Sequence, residues 1–312
     1  MRQYRFLQLD VFTDRAFCGN PLAVFPEAEG LTDEEMGRIA REMNLSETVF
    51  VTGSGDEKAL RRLRIFTPVR ELPFAGHPVV GTWNALAREG VVPLPENGSG
   101  WTRIEQEVGI GRLPVEIEFK EGQPVRVVMT QGKFEIRAEV EDAADRAEVE
   151  RGLGLTPEDL DESLPIQTIS TGVPVLAVPV RSLDALSRCR VNAAVLGESA
   201  ARAGAMGFYA FTRETLEGGG GAHARLFAPD AGITEDPATG IAAGSLSGYL
   251  VYHGAHAVES TDGVFRFVVE QGDFIGRPSR IDAEVRGERG GDIEQVRIGG
   301  PSVVVARGRL IF

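Results

Sequence analysis

Cysteine is scarce in this sequence: Cys18 and Cys189 are the only two in 312 residues. Two thiols cannot build a disulfide framework or a four-thiolate zinc centre. Basic residues are outnumbered, with 33 Lys and Arg against 46 Asp and Glu, for a formal net charge of −13. A chain this acidic has no general attraction for phosphate backbones, so nucleic acid is not an expected partner. Hydrophobic runs are short. None approaches the ~18–20 apolar residues that span a bilayer, and Met1-Arg2-Gln3-Tyr4 does not open an apolar leader. The expectation is a cytoplasmic protein without a membrane partner. Nucleotide loops are missing as well. No dinucleotide fingerprint follows a strand-like run, and the glycine run Gly218 to Gly221 lacks the Lys-Ser/Thr that completes a P-loop. That run reads as a flexible loop.

What is present is a globular composition, 42% hydrophobic and 25% charged, in a length that suits two ordinary domains or one large one. Glycine is abundant, at 38 residues, which points to many tight turns rather than long helices. Strand-like apolar runs cover Arg5 to Asp10, Thr48 to Thr52, Leu63 to Phe66, Pro114 to Phe119, Val125 to Thr130 and Pro174 to Val180. Others cover Phe208 to Thr212, Ala224 to Phe227, Val264 to Val269 and Ser302 to Ala306. The spacing predicts three helices. One runs from Thr32 to about Met43, with Thr32 and Glu35 at capping-box spacing. A second runs from His77 to about Arg88, with Pro78 suited to a first turn. The third, from Gly240 to about Tyr252, is apolar nearly all round and so is expected to be buried on most sides.

An internal repeat organises these pieces. Arg64-Ile-Phe-Thr-Pro68 is followed by Glu71-Leu-Pro-Phe-Ala-Gly76 and a helix; Arg225-Leu-Phe-Ala-Pro229 is followed by Glu235-Asp-Pro-Ala-Thr-Gly240 and a helix. Ahead of each copy stands a second matching pair, Gly19-Asn-Pro-Leu-Ala-Val24 and Gly172-Val-Pro-Val-Leu-Ala177. Two matches in one order predict a duplicated domain with pseudo-twofold symmetry. The halves are expected to meet near residues 120 to 130, with Glu121-Gly122-Gln123-Pro124 as linker. Each half becomes a sheet wrapped around one buried helix. The junctions at Gly76 and Gly240 are expected to face one another across a cleft, where helix N-termini favour a carboxylate or phosphate. Tyr209, Phe227 and Ile241 are expected to line its second half.

Three side chains stand out for chemistry. Glu47 lies between a helix end and an apolar strand, where partial desolvation raises a carboxyl pKa and makes it an acid/base; a surface or capping glutamate is the alternative. His77 follows Gly76 at a helix start, which disfavours the imidazolium; the alternative is a packing histidine. Asp236 precedes the second junction, where an acidic pair before proline is also a common turn. His253 and His256 lack the flanking ligand pattern of a metal site. Cys189, between Arg188 and Arg190, is a candidate for a lowered pKa, and Cys18 beside Gly19-Asn20 for a nucleophile. For both, a buried, inert thiol is the competing reading.

These motifs resemble the phenazine-biosynthesis PhzF-like isomerases, which have the α+β diaminopimelate epimerase-like fold. The resemblance rests on Asp10-Val-Phe-Thr13 with Gly19-Asn-Pro-Leu-Ala-Val24, Asn44-Leu-Ser-Glu-Thr48, Arg64-Ile-Phe-Thr-Pro68, Glu71-Leu-Pro-Phe-Ala-Gly-His-Pro78 and Glu235-Asp-Pro-Ala-Thr-Gly240. Gln271-Gly272 and Gly276-Arg-Pro-Ser279 extend it. It implies two pseudo-symmetric domains, here residues 1–124 joined by the last strand at about 302–312, and residues 125–301. It also implies Glu47 as catalytic acid/base with His77 and Asp236 beside the substrate. Asn20, Ser46, Gly76, Thr239, Gly240 and Ile241 are the expected substrate contacts. A small unsaturated or amino carboxylate is the expected substrate, a homodimer the expected assembly, and no metal or organic cofactor is expected. One position departs from the family pattern: Ile241 stands where the second loop usually has serine, which removes a hydroxyl contact and puts the phenazine precursor itself in doubt. The rival readings are a two-base racemase or epimerase of the same fold, and a non-catalytic small-molecule-binding protein.

Overall fold

A computed structural model of the chain describes every residue except Gly219, Gly220 and Ala257. The middle of the glycine run read as a flexible loop thus lies outside the described residues. The chain divides into two compact units, Met1–Thr130 with Gly299–Phe312, and Gln131–Ile298.

In the first unit β1 (Gln3–Val11) pairs antiparallel with β2 (Asn20–Phe25), Leu9 opposite Leu22. Helix α1 (Asp33–Met43) then returns the chain so that β3 (Glu47–Thr52) runs parallel to β2. Thr32 and Glu35 cap α1 reciprocally, as their spacing predicts. β4 (Arg62–Phe66) pairs antiparallel with β3, and the two-residue β5 (Glu71–Leu72) with β4. Helix α2 (Gly76–Arg88) follows and is buried from Gly76 to Ala87. β6 (Gly100–Val108) joins β4 in parallel at Arg62 and Glu107. β7 (Gly111–Lys120) and β8 (Gln123–Thr130) continue antiparallel. Helix α2 packs on β1, β2, β3, β7 and β8. Gly81 permits the approach: a Cβ there would lie 2.6 Å from both Leu22 and Val11 side chains.

The expected linker is instead a hairpin turn. Glu121 and Gly122 both have positive φ (51° and 74°), the conformation that two-residue hairpin loops require. Gln123 and Pro124 already belong to β8, which pairs with β7, so the first unit runs on to Thr130.

The second unit repeats the scheme. β9 (Glu135–Glu139) and α3 (Ala143–Leu153) lead in. β10 (Gln167–Ser170) pairs antiparallel with β9 and with β11 (Val175–Pro179). After α4 (Leu183–Ser187) and α5 (Ala193–Arg202), β12 (Phe208–Thr212) lies parallel to β11. β13 (Ala222–Ala228) is antiparallel to β12 and β14 (Ile233–Asp236) to β13. Helix α6 (Gly240–Tyr252) is buried except at Ile241 and Tyr252. β15 (Val264–Gln271) then pairs parallel with β13, and β16 (Ser279–Gly287) antiparallel with β15. After β17 (Ile293–Gly300) the chain is back in the first unit, where β18 (Ser302–Ile311) pairs antiparallel with β1. The pairing sequence from β1 to β7 thus recurs from β10 to β16, with the helix in the same place.

The repeated Arg and Glu also pair alike. Arg64 bonds Glu71 through Nε (2.8 Å) and Nη2 (2.7 Å). Arg225 bonds Glu235 through Nε (2.9 Å) and Nη2 (2.7 Å). Each guanidinium also lies over a phenylalanine two residues on, Phe66 or Phe227. Among the described residues no helix is long and apolar enough to cross a membrane.

Candidate active site

In the first unit the fold brings together three side chains from separate parts of the sequence. Helix α1 stops at Asn44, whose left-handed conformation (φ 49°) turns the chain through Leu45 and Ser46 into β3. Glu47 is the first residue of that strand and its side chain keeps 13% of its exposure. Asn20 opens the neighbouring β2 and is fully buried. His77 sits in the first turn of α2, behind an N-cap, Ala75, that offers no side-chain acceptor. His77 Nε2 lies 3.2 Å from Glu47 Oε2, and Asn20 Nδ2 lies 3.3 Å from His77 Nδ1. Burial alone pushes the imidazole pKa down to about 3, so the ring is neutral at neutral pH. A carboxylate beside a neutral imidazole can take a proton from carbon and return it. Gly76, one residue before His77, is the buried first residue of α2.

The second unit presents a different arrangement at the matching junction. Asp236 ends β14 and is buried. Its Oδ2 accepts from the Thr239 hydroxyl. Thr239 is the N-cap of α6 but makes no side-chain cap bond. Gln271 clamps this loop. Its Oε1 accepts from Tyr209 Oη (2.9 Å) and from the Thr239 amide (3.2 Å). Its Nε2 donates to the Asp236 carbonyl (2.7 Å) and to Thr239 Oγ1 (3.1 Å). Farther into α6, Thr171 Oγ1 donates to Gln131 Oε1 (2.6 Å), and Gln131 Nε2 donates to the Gly240 carbonyl (2.9 Å). Ile241 stays half-exposed, and its carbonyl accepts from Ser245 Oγ at 3.0 Å.

Sequence reasoning missed Gln131 and Thr171 as supports. Gln271 was visible only as part of a motif, without a role. Polar residues at the ends of apolar strands, just after β8 and β10 and at the last position of β15, are the signal that marks them. Two residues expected to line the cleft, Phe227 and Tyr209, are buried. Phe227 is part of a hydrophobic core with Leu186, Cys189 and Phe208. Tyr209 is fully buried, and its hydroxyl is held by Gln271. Burial and the nearby Asp236 push its pKa up. The candidate activation of Cys189 is reversed: despite its arginine neighbours, burial pushes the thiol up to about 11. Cys18 is buried too. His253 Nε2 is 3.0 Å from Gln167 Oε1, and His256 packs edge-on against Phe265 and Phe267. Among the described residues no group of three or more His, Cys, Asp or Glu is placed to hold a metal ion.

Residues 9–308 match the family described as "Phenazine biosynthesis-like protein". The chain belongs to that family. It is 37% identical to an uncharacterized isomerase of Clostridium acetobutylicum over 312 residues, covering 100% of this chain and 99% of the relative. It is 34% identical to trans-2,3-dihydro-3-hydroxyanthranilate isomerase of Pseudomonas fluorescens, covering 99% and 100%. The solved structure of a Bacillus anthracis phenazine biosynthesis protein of the PhzF family superposes with a TM-score of 0.86 at 31% identity, covering 100% of both chains. A probable proline racemase from Agrobacterium radiobacter shares the fold alone, with a TM-score of 0.64 at 13% identity, covering 99% and 93%. Architecture and family agree: each unit of this phenazine biosynthesis-like protein is a sheet around one buried helix.

Proposed function

We propose that this phenazine biosynthesis-like protein is a cofactor-independent isomerase that shifts a double bond in a small unsaturated or amino carboxylate, with Glu47 as the acid/base. The chain is an enzyme of the isomerase class. The observation that carries the mechanism is the Glu47–His77 contact of 3.2 Å at the start of α2. Glu47 takes a proton from a carbon next to an unsaturated or carbonyl group. The C–H electrons enter the π system, the double bond moves, and the same carboxyl returns the proton to another carbon on that face. Neutral His77 steadies the carboxylate while the charge moves. The start of α2 at Gly76, without a side-chain cap and next to His77, suits the substrate carboxylate. At the uncapped start of α6 in the second unit, Asp236 and Thr239 are candidate substrate-orienting groups, and Ile241 is more apolar there than serine would be.

The test is incubation in deuterated water with trans-2,3-dihydro-3-hydroxyanthranilate and a panel of small unsaturated and amino carboxylates, read by mass spectrometry. Carbon-bound deuterium in a product isomer supports the assignment. Binding by calorimetry without exchange of any bound compound contradicts it.

A two-base racemase is the second reading, favoured by the fold shared with the proline racemase. Such an enzyme usually works through two thiols. A thiol held at about 11 is a poor base, which weighs against it.

A further inference from the structure

The Glu47–His77 contact leaves a question of proton placement that the neighbouring strand answers. We propose that Asn20 is a positioning residue that fixes His77 as the tautomer protonated on Nε2, the nitrogen facing Glu47. Its importance for turnover rests on the isomerase reading above; the tautomer is a property of the resting protein.

The backbone sets the three groups in place. Val11 of β1 pairs with Asn20, and Leu22 of β2 pairs with Glu47 of β3. Asn20 and Glu47 therefore lie near the same end of adjoining strands. Helix α2 packs on both strands and brings the His77 ring between an amide and a carboxyl. The glycine before Asn20 makes this start possible. Gly19 has φ +65°, and a Cβ there would lie 2.6 Å from Thr13 Cγ2 and collide with the Val11 carbonyl.

Donor and acceptor chemistry then decides the tautomer. A neutral imidazole carries one N–H, and an ionised carboxylate only accepts. Nε2 and Glu47 Oε2 are 3.2 Å apart, within ion-pair reach though not aligned as a hydrogen bond. At that distance a proton on Nε2 makes the contact attractive, whereas a bare lone pair makes it repulsive. Nδ1 is left as an acceptor, and only the NH2 of Asn20 can donate to it. The opposite arrangement turns the Asn20 carbonyl to an Nδ1–H. It then sets a bare nitrogen lone pair against Glu47, which is repulsive unless Glu47 is protonated. An Nε2–H facing Glu47 favours the ionised carboxylate, the form a base needs. This gives Asn20 a role through His77, in place of the substrate contact that the motif implies.

Four histidines make the test direct. The protein is labelled with 15N-histidine, and long-range 1H–15N correlations are recorded at pH 7. His77 is assigned by its loss in His77→Asn. The expected wild-type pattern is an unprotonated Nδ1 and a protonated Nε2. In Asn20→Ala both nitrogens are expected to move toward the average of the two tautomers, while His223, His253 and His256 keep their shifts. A wild-type His77 protonated on Nδ1 overturns the assignment, as does an unchanged pattern in a folded Asn20→Ala. If Asn20→Ala does not fold, the wild-type spectrum still decides the tautomer and Asn20→Ser supplies the comparison. The predicted tautomer together with absent deuterium exchange would contradict the isomerase mechanism and leave this assignment standing.

Discussion

Arg225 grips Glu235 through two parallel hydrogen bonds, and both side chains are at least nine-tenths buried. The same guanidinium donates to the carbonyl of Leu186 at 2.9 Å and lies over the Phe227 ring. Its counterpart Arg64–Glu71 is more exposed, at 16% and 39%. Removing one partner of a buried pair costs about 3–5 kcal/mol because a charge is stranded, whereas exposed pairs contribute about 0–1 kcal/mol. Arg225→Met is therefore expected to destabilise by several kcal/mol and Arg64→Met by far less. Urea unfolding of the two variants checks the order, and equal losses would contradict it.

His77 makes stability depend on acid. The unfolded imidazole titrates near ~6.5, the folded one at about 3. Between those values the unfolded chain binds a proton that the folded chain refuses. His77's contribution is thus complete above pH ~6.5 and declines as pH falls, by about 1.4 kcal/mol per unit. Between pH 6.5 and 4.5 the wild type is expected to lose about 2–3 kcal/mol relative to His77→Gln. A difference that does not change with pH, measured by urea titration, would show that the ring is not held neutral.

Gln271 makes three hydrogen bonds to the loop carrying Asp236 and a fourth to Tyr209 Oη. Gln271→Leu strands the Thr239 amide and the Asp236 carbonyl, at about 1–3 kcal/mol for each group left unpaired. Faster amide hydrogen exchange is expected at Asp236–Gly240 while the first unit keeps its protection. Protection of that loop equal to wild type would refute the clamp.

Glycine in α6 is fixed by contact rather than by conformation. A Cβ on Gly244 would collide with Gln131 Oε1, whereas one on Gly53 meets nothing within 4 Å. Gly244→Ala is expected to cost about 1–3 kcal/mol through overpacking, and Gly53→Ala to be close to neutral. Thermal unfolding of the two proteins distinguishes them.

The parts legible in the sequence are those where spacing and contact coincide. Thr32 and Glu35 cap α1, and α2 and α6 begin within a residue of their predicted starts. The Arg–Glu repeat was readable because the same bidentate pair is built twice. Other parts were hidden for physical reasons. No helix was read at Ala143–Leu153, yet this acidic segment forms α3, which buries only Val149, Gly152 and Leu153. Too few apolar positions remain there for a periodic stripe. β6 was missed because Arg103, Glu105 and Glu107 alternate with inward residues, one of them polar: Gln106 is buried and accepts from Trp83 Nε1 at 2.6 Å. At the site, Glu47 and His77 were found from their places beside helix ends. Asn20 was found as a motif residue, but its contact with His77 Nδ1 at 3.3 Å was hidden, because sequence does not show that β2 delivers it to that side of the ring.

The central claim is that Glu47 moves the proton. The most direct measurement compares wild type and Glu47→Gln in deuterated water, with trans-2,3-dihydro-3-hydroxyanthranilate or whichever carboxylate the panel shows to exchange. Product deuterium is followed by mass spectrometry, and the fold of each protein by circular dichroism. Glu47→Gln is expected to stay folded and to lose exchange by at least about 10²-fold, the lower end of what a positioned acid/base contributes. Exchange at the wild-type rate in a folded Glu47→Gln would contradict the account.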